Sequence, residues 1–319
     1  MDWLGAAIDG PLVVTRTIHF AAAAISAGAL IFGAAVAEPA LRSTPPATAV
    51  VRAQIRLTAS IGLAIAVSSG VVWFQLQVAA ISGLPFGEAM TLDVLSTVLN
   101  ETQFGLVLKV RLVLAIILAA CLAYDRFAQA RWLALGSALG FIAAIAWTGH
   151  AGSTLGELGN LHLAADALHL IAAAAWIGGL APLTLLLAAG RRNQGFAWAS
   201  PARDAAQRFS TLGIVSVGTL LVTGIVNAWI LVGSVHALIV TGYGQLLLLK
   251  LVAFAIMLGF AAANRFWLTP QLALSSQNEP QLEAFRQLTR NSVIEIALGL
   301  TIFAIVGVLG TLHPAIHLM

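Results

Sequence analysis

Histidines buried in apolar sequence are the residues of this chain best placed to do chemistry. Two of them recur at matching points: Ile18-His19 and, 150 residues on, Leu168-His169, each followed nine residues later by a glycine, Gly28 and Gly178. An imidazole is costly in lipid, so one at the same point of two repeats points to a paired site between two halves. The densest stretch is His162-x3-Asp166-x2-His169-x6-Trp176, whose steps of four, three and seven residues keep the side chains on one helical stripe. A carboxylate between two imidazoles either ligates a cation or orients an imidazole by accepting its second N–H. Trp176 reads as a packing residue. Leu12 stands where a counterpart of His162 would be, so His162 supplements one half only.

Composition decides what positions these groups. Of 319 residues, 60% are apolar and 9% charged, far from the roughly one quarter charged of a soluble domain. Apolar runs near 12–37, 55–81, 104–123, 132–149, 161–188, 208–232, 244–268 and 290–312 each reach the length of about 20 residues needed to cross the hydrocarbon. The expected fold is therefore an all-α polytopic membrane protein with eight transmembrane helices. His19 aligns with His169, and Thr102-Gln103-Phe104-Gly105 with Thr241-Gly242-Tyr243-Gly244, which sets Arg111 opposite Lys250; helices 4 and 8 both run into a histidine, His150 and His313. Four helices per unit preserve direction, which predicts two parallel four-helix repeats, residues 1–150 (helices 1–4) and 151–319 (helices 5–8).

Basic residues orient the bundle. Arg42, Arg52 and Arg56 follow helix 1, Arg126 and Arg131 helix 3, Arg191, Arg192, Arg203 and Arg208 helix 5, and Arg265, Arg286 and Arg290 helix 7. These connections are expected in the cytoplasm, which leaves both termini outside. All seven histidines then fall in the outer half: His19 and His169 inside helices 1 and 5, His150 and His313 at the ends of helices 4 and 8, His162 opening helix 5, His236 in a connection and His317 in the tail. Neutral imidazoles on the outer side suit capture of a metal cation. The candidate ligands are His19, His150, His162, Asp166, His169 and His313.

Other classes are excluded by what accompanies these residues. The net charge of +3 comes from arginines in short loops, with no aromatic-interleaved basic patch, so no nucleic-acid partner is expected; the arginines set topology and face anionic lipid. Cys121 is the sole cysteine, which precludes an intramolecular disulfide or a CxxC motif. Asp2 and Asp9 replace the basic start of a signal peptide, and the first run is too long for one, so it reads as an uncleaved helix despite Ala35-Val36-Ala37. No GxSxG, HExxH or phosphate loop occurs, and the expectation is that the chain is not an enzyme.

Charged groups within the spans are few. Arg16 and Lys109 are expected to snorkel to the outer interface, whereas Arg111 and Lys250, deeper and related by the repeat, either do the same or line a polar interior able to hold anionic groups such as haem propionates. Toward the cytoplasm, Glu38 before Pro39 reads as a helix end. Glu295, placed four to five residues inside helix 8, reads as an interfacial partner of Arg208 or Arg265.

The chain resembles the copper resistance protein D (CopD) family of bacterial inner-membrane proteins. The resemblance lies in Gly149-His150-Ala151, in His169-Leu170 leading to Trp176-Ile177-Gly178-Gly179, in Arg208-Phe209-Ser210, in Thr223-Gly224 with Asn227, and in Tyr243-Gly244 leading to Lys250. It continues through Asn264-Arg265, Pro270, Glu295 and Pro314, with His19 a weaker N-terminal element. It implies copper handling, with import across the inner membrane from the periplasmic side, and a periplasmic copper chaperone as partner. Met1, Met90, Met257 and Met319 form no stripe, and imidazole suits Cu(I), Cu(II), Zn and haem iron alike, so the identity of the metal comes from the resemblance. Two alternatives stay open: a b-type haem protein with imidazole ligands, and a copper-delivery or assembly factor that binds the ion without conducting it.

Overall fold

The computed structural model describes residues 9–42, 45–124, 128–192, 196–274 and 279–317, and among these no strand occurs. Among the described residues, eight helices are long and apolar enough to cross a membrane: α1 (Gly10–Ala40), α2 (Thr48–Ser82), α3 (Gln103–Ala123), α4 (Gln129–Thr148), α5 (Gly156–Arg191), α6 (Ser200–Val232), α7 (Gly242–Leu272) and α8 (Leu282–Leu309). The 36 residues of α5 rise about 54 Å, well beyond a hydrocarbon core of about 30 Å. That excess explains why several helices outrun the apolar runs that predict them. α2, α6 and α8 open with polar turns carrying Arg52 and Arg56, Arg203 and Arg208, and Arg286 and Arg290. Hydropathy registers only the lipid-facing part of such helices. Glu295 accordingly sits midway along α8 and not near its start, where the shorter run places it.

Local chemistry fixes the boundaries. Asp9 caps α1 by accepting from the N–H of Leu12 (3.1 Å), with Pro11 in the first turn. Thr102 and Thr241 cap α3 and α7 in the same manner, accepting at 3.0 Å from Gly105 and Gly244. Gly83 and Gly233, with φ of 68° and 75°, end α2 and α6 in a left-handed conformation that a Cβ would oppose.

Two helices form the centre. In α1 and α5, 67% and 72% of the apolar span is buried, against 11% in α7. α1 packs on α2, α4, α5 and α8, and α5 on α1, α4, α6 and α8. Where α1 and α5 cross, Gly28 meets Gly178. Three helices carry a wide π turn, at Gly33–Ala37 in α1, Ala174–Gly178 in α5 and Asn264–Leu268 in α7.

Candidate functional site

His19 projects from α1 among α2, α3 and α4. Ser69 Oγ donates its only proton to the carbonyl of Ile65 one turn earlier (2.7 Å), so toward the imidazole it can only accept, and His19 Nδ1 donates to it at 3.2 Å. The ring is thereby held in the Nδ1–H tautomer, and its Nε2 lone pair accepts from Arg111 Nη2 at 2.6 Å. Arg111 Nε donates to the carbonyl of Phe141 (3.2 Å). Gly70, next to Ser69, makes room for the ring: a Cβ there would lie 3.3 Å from His19 Cε1.

The second half repeats the device. Thr223 Oγ1 donates to the carbonyl of Thr219 (2.6 Å) and accepts from His169 Nδ1 (2.9 Å), and Gly224 lies beside His169 Cε1. No described residue hydrogen-bonds His169 Nε2. In place of the Arg111 contact, Lys250 of α7 lies within range of the imidazole without a hydrogen bond to it. Three residues before each histidine the halves diverge: Arg16 in the first, Asp166 in the second. Four residues after each hydroxyl stand Trp73 and Asn227. The Arg16 guanidinium lies 5.3 Å from the Trp73 ring, and Asn227 Nδ2 donates to Asp166 Oδ1 at 3.3 Å.

This divergence sets the electrostatics. The second half pairs the charge of Asp166 with that of Lys250, which it senses without closing an ion pair. The first half holds Arg16 and Arg111, 6% and 3% exposed, with no ion-pair partner among the described residues. Arg16 does not snorkel; its Nε is buried without an acceptor, and the guanidinium packs over Phe20 and Trp73 and against Gly310. Lys109 is exposed and reaches Asn100 Oδ1 (3.4 Å). Two uncompensated guanidiniums disfavour a metal cation beside His19.

Toward the same end of the second half, His162 is buried, and its Nδ1 shares a 2.8 Å hydrogen bond with Thr154 Oγ1, which also lies 3.2 Å from the carbonyl of His150. No described residue hydrogen-bonds His162 Nε2. His150 lies within charge range of His162, places Nε2 3.3 Å from the carbonyl of Leu309, and meets the Tyr243 ring edge-on at 6.1 Å. The structure therefore gathers His150, His162, Asp166 and His169 along α5 and the turn preceding it. His19 is in the other half, bonded only to residues of α2 and α3, while His313, beyond the end of α8, and His236, in the connection between α6 and α7, are exposed. Among the described residues no three His, Cys, Asp or Glu side chains converge tightly enough to hold a metal ion.

At the arginine-rich end, Glu38 accepts from Arg52 Nε and Nη2 (2.6 and 2.7 Å) and from Arg131 Nη1 (2.8 Å). Glu295 pairs with neither Arg208 nor Arg265. It accepts from Trp176 Nε1 (3.3 Å) and Asn264 Nδ2 (2.7 Å), while Arg265 donates to Ser210 Oγ (2.7 Å). Trp176 is therefore a hydrogen-bond donor as well as a packing residue. Ser69 and Thr154 are functional residues that the sequence reading misses; the available signal is a small hydroxyl one helix away from an intramembrane histidine that needs an acceptor for its N–H.

Comparison with known proteins places these residues in context. Residues 203–309 match the family profile described as copper resistance protein D, and residues 7–160 match that of the copper resistance protein D-like N-terminal domain. The chain is 28% identical over 269 residues to copper resistance protein D of Pseudomonas syringae pv. tomato, covering 82% of this chain and 84% of that one. It is 34% identical over 217 residues to the inner membrane protein YebZ of Escherichia coli K12, covering 67% and 70%. With the copper transport protein CutJ of Bacillus subtilis it shares 32% identity over 214 residues, 65% of this chain and 37% of the relative.

Proposed function

The chain belongs to the copper resistance protein D family, and from that premise we propose that it imports copper across the bacterial inner membrane, capturing the ion at the histidine-bearing end of its second half. A copper-related membrane role follows from the family and the eight apolar helices. The observation that carries the finer reading is the pair His162 and His169, each anchored through Nδ1 by a threonine hydroxyl with Nε2 free of any hydrogen bond from a described residue, and with Asp166 on the same face between them. Metal-binding imidazoles carry this kind of support: the second nitrogen donates to a fixed acceptor and the lone pair points at the ion. Asp166 adds negative charge, and His150 supplies a further imidazole from the adjoining turn. The two halves act as parallel repeats of one four-helix unit, specialised by the exchange of Arg16 for Asp166, so that one half receives the cation and the other does not.

Import requires the histidine end to face the periplasm, with both termini there and the arginine-rich end in the cytoplasm. A periplasmic copper chaperone loads the site, and the chain performs no chemistry on its cargo. Haem ligation by His19 and His169 finds no support, because Nε2 of His19 already accepts from Arg111 and the two rings lie in separate halves. Copper uptake into sealed vesicles containing the purified chain tests the proposal. Uptake that falls at least tenfold in His169→Ala supports it. Tight binding without uptake would make the chain a delivery factor instead.

A further inference from the structure

A cavity of 370 Å³ lies among α5, α6, α7 and α8, apolar on most of its wall and polar where Glu295, Asn264, Arg265, Ser210 and Ser292 meet. Glu295 is 2% exposed and held by two neutral donors, Trp176 and Asn264. Arg265 is the one other charged group on that wall, and its guanidinium is turned to Ser210; α5 presents the neutral Trp176, α6 Ser210, and α8 Ser292. An ionised carboxylate buried without a counter-charge is costly, and the cost disappears when it takes up a proton.

The surroundings are arranged to receive that proton. Asn291, one helical turn before Glu295 and 6% exposed, donates Nδ2 to Asn264 Oδ1 (2.8 Å), yet its own Oδ1 is buried with no donor. Residues four apart on a helix are neighbours, and a protonated Glu295 brings an O–H donor to the neighbourhood of this orphan acceptor. Both anchors of the carboxyl sit in π turns, Trp176 within Ala174–Gly178 and Asn264 at the start of Asn264–Leu268, irregularities common at functional sites. The oxygen donors do not suit copper, which favours nitrogen and sulfur. A hard metal cation takes six or more oxygens, whereas a proton needs one.

We propose that Glu295 is a proton-carrying carboxyl that couples copper movement to proton movement through this cavity, an inference that rests on the transport reading above. The carboxylate takes one proton from a hydronium ion entering the cavity from one side, leaving water, to give the carboxylic acid, and releases it to water on the other side, which regenerates hydronium, with no electron transferred.

Two measurements on the full-length purified chain separate this inference from the transport reading. Infrared spectroscopy needs no copper: a protonated-carboxyl C=O band that is lost on raising pH and absent in Glu295→Gln is the expected result, and a band unchanged in Glu295→Gln overturns the assignment. In vesicles loaded with a pH-sensitive dye, proton movement accompanies copper uptake in the parent and in Glu295→Asp. In Glu295→Gln it is lost, with copper affinity at the histidine end within about twofold of the parent. Proton-to-copper ratios identical in the parent and Glu295→Gln contradict the coupling. Vesicles that take up no copper sink the transport reading and the coupling together, and the infrared result then still decides whether Glu295 carries the proton.

Discussion

Gly28 and Gly178 face one another at the crossing of α1 and α5. A Cβ on Gly28 would collide with the carbonyl oxygen of Ala174, and a Cβ on Gly178 with that of Ala24, in each case the residue four before the opposing glycine. The contact is reciprocal, as at the centre of a two-fold-like assembly, and brings two backbones to the approach that small residues permit in membranes. Nine residues separate each glycine from its histidine, about two and a half turns of helix. His19 and His169 therefore look away from the crossing, each into its own half.

Substituting either glycine by valine forces the central helices apart. Gly28→Val and Gly178→Val are each expected to destabilise the bundle by about 1–3 kcal/mol or more, the cost of overpacking, read as a lower unfolding midpoint in detergent. Gly136→Ala, whose Cβ would meet nothing within 4 Å, should leave the midpoint unchanged or raise it.

The two buried arginines of the first half should respond in opposite directions. Arg16→Met removes a buried charge without a partner and is expected to raise the unfolding midpoint. Arg111→Met strips the donors from His19 Nε2 and the Phe141 carbonyl. Each acceptor left unpaired costs about 1–3 kcal/mol, so the midpoint should fall. A drop of the same size in both variants would contradict the charge asymmetry.

Much of this was legible in the sequence, and the limits have physical causes. Eight spans, the two glycines and the matched histidines follow from hydropathy and spacing, because lipid leaves long apolar helices as the economical solution. The direction of the imidazoles was not legible: a shared site between His19 and His169 is the natural reading of a repeat, and only the rotation of each helix about its axis sends them apart. The partners of Glu295 were not legible either: Arg208 and Arg265 are the nearest charges by sequence reading, and only the packing of α5 and α7 on α8 brings Trp176 and Asn264 to the carboxyl instead. The tautomers of His19 and His169 needed Ser69 and Thr223, whose hydroxyls become informative only when their own protons are traced to a carbonyl.

Loss of an orienting hydroxyl should matter for copper in one half only. Thr223→Val frees the His169 ring and is expected to weaken copper binding about 10–100-fold, the usual effect of removing such support. Ser69→Ala, which does the same to His19, should leave copper affinity within about twofold. Equal losses in both variants would restore a role for the first half in capture.

Topology offers an independent check. A reporter active only after export, fused after Met319, should be active, because the arginine-bearing connections follow odd-numbered helices. Activity of a cytoplasm-only reporter at that position would invert the bundle and turn the proposed import into export.

The central claim is that copper is captured by the second-half histidines, and calorimetric titration of the purified chain with copper, parent against His169→Ala and His19→Ala, tests it most directly. The account predicts binding at least tenfold weaker in His169→Ala and within about twofold of the parent in His19→Ala. Unchanged affinity in His169→Ala, with loss in His19→Ala, would contradict it.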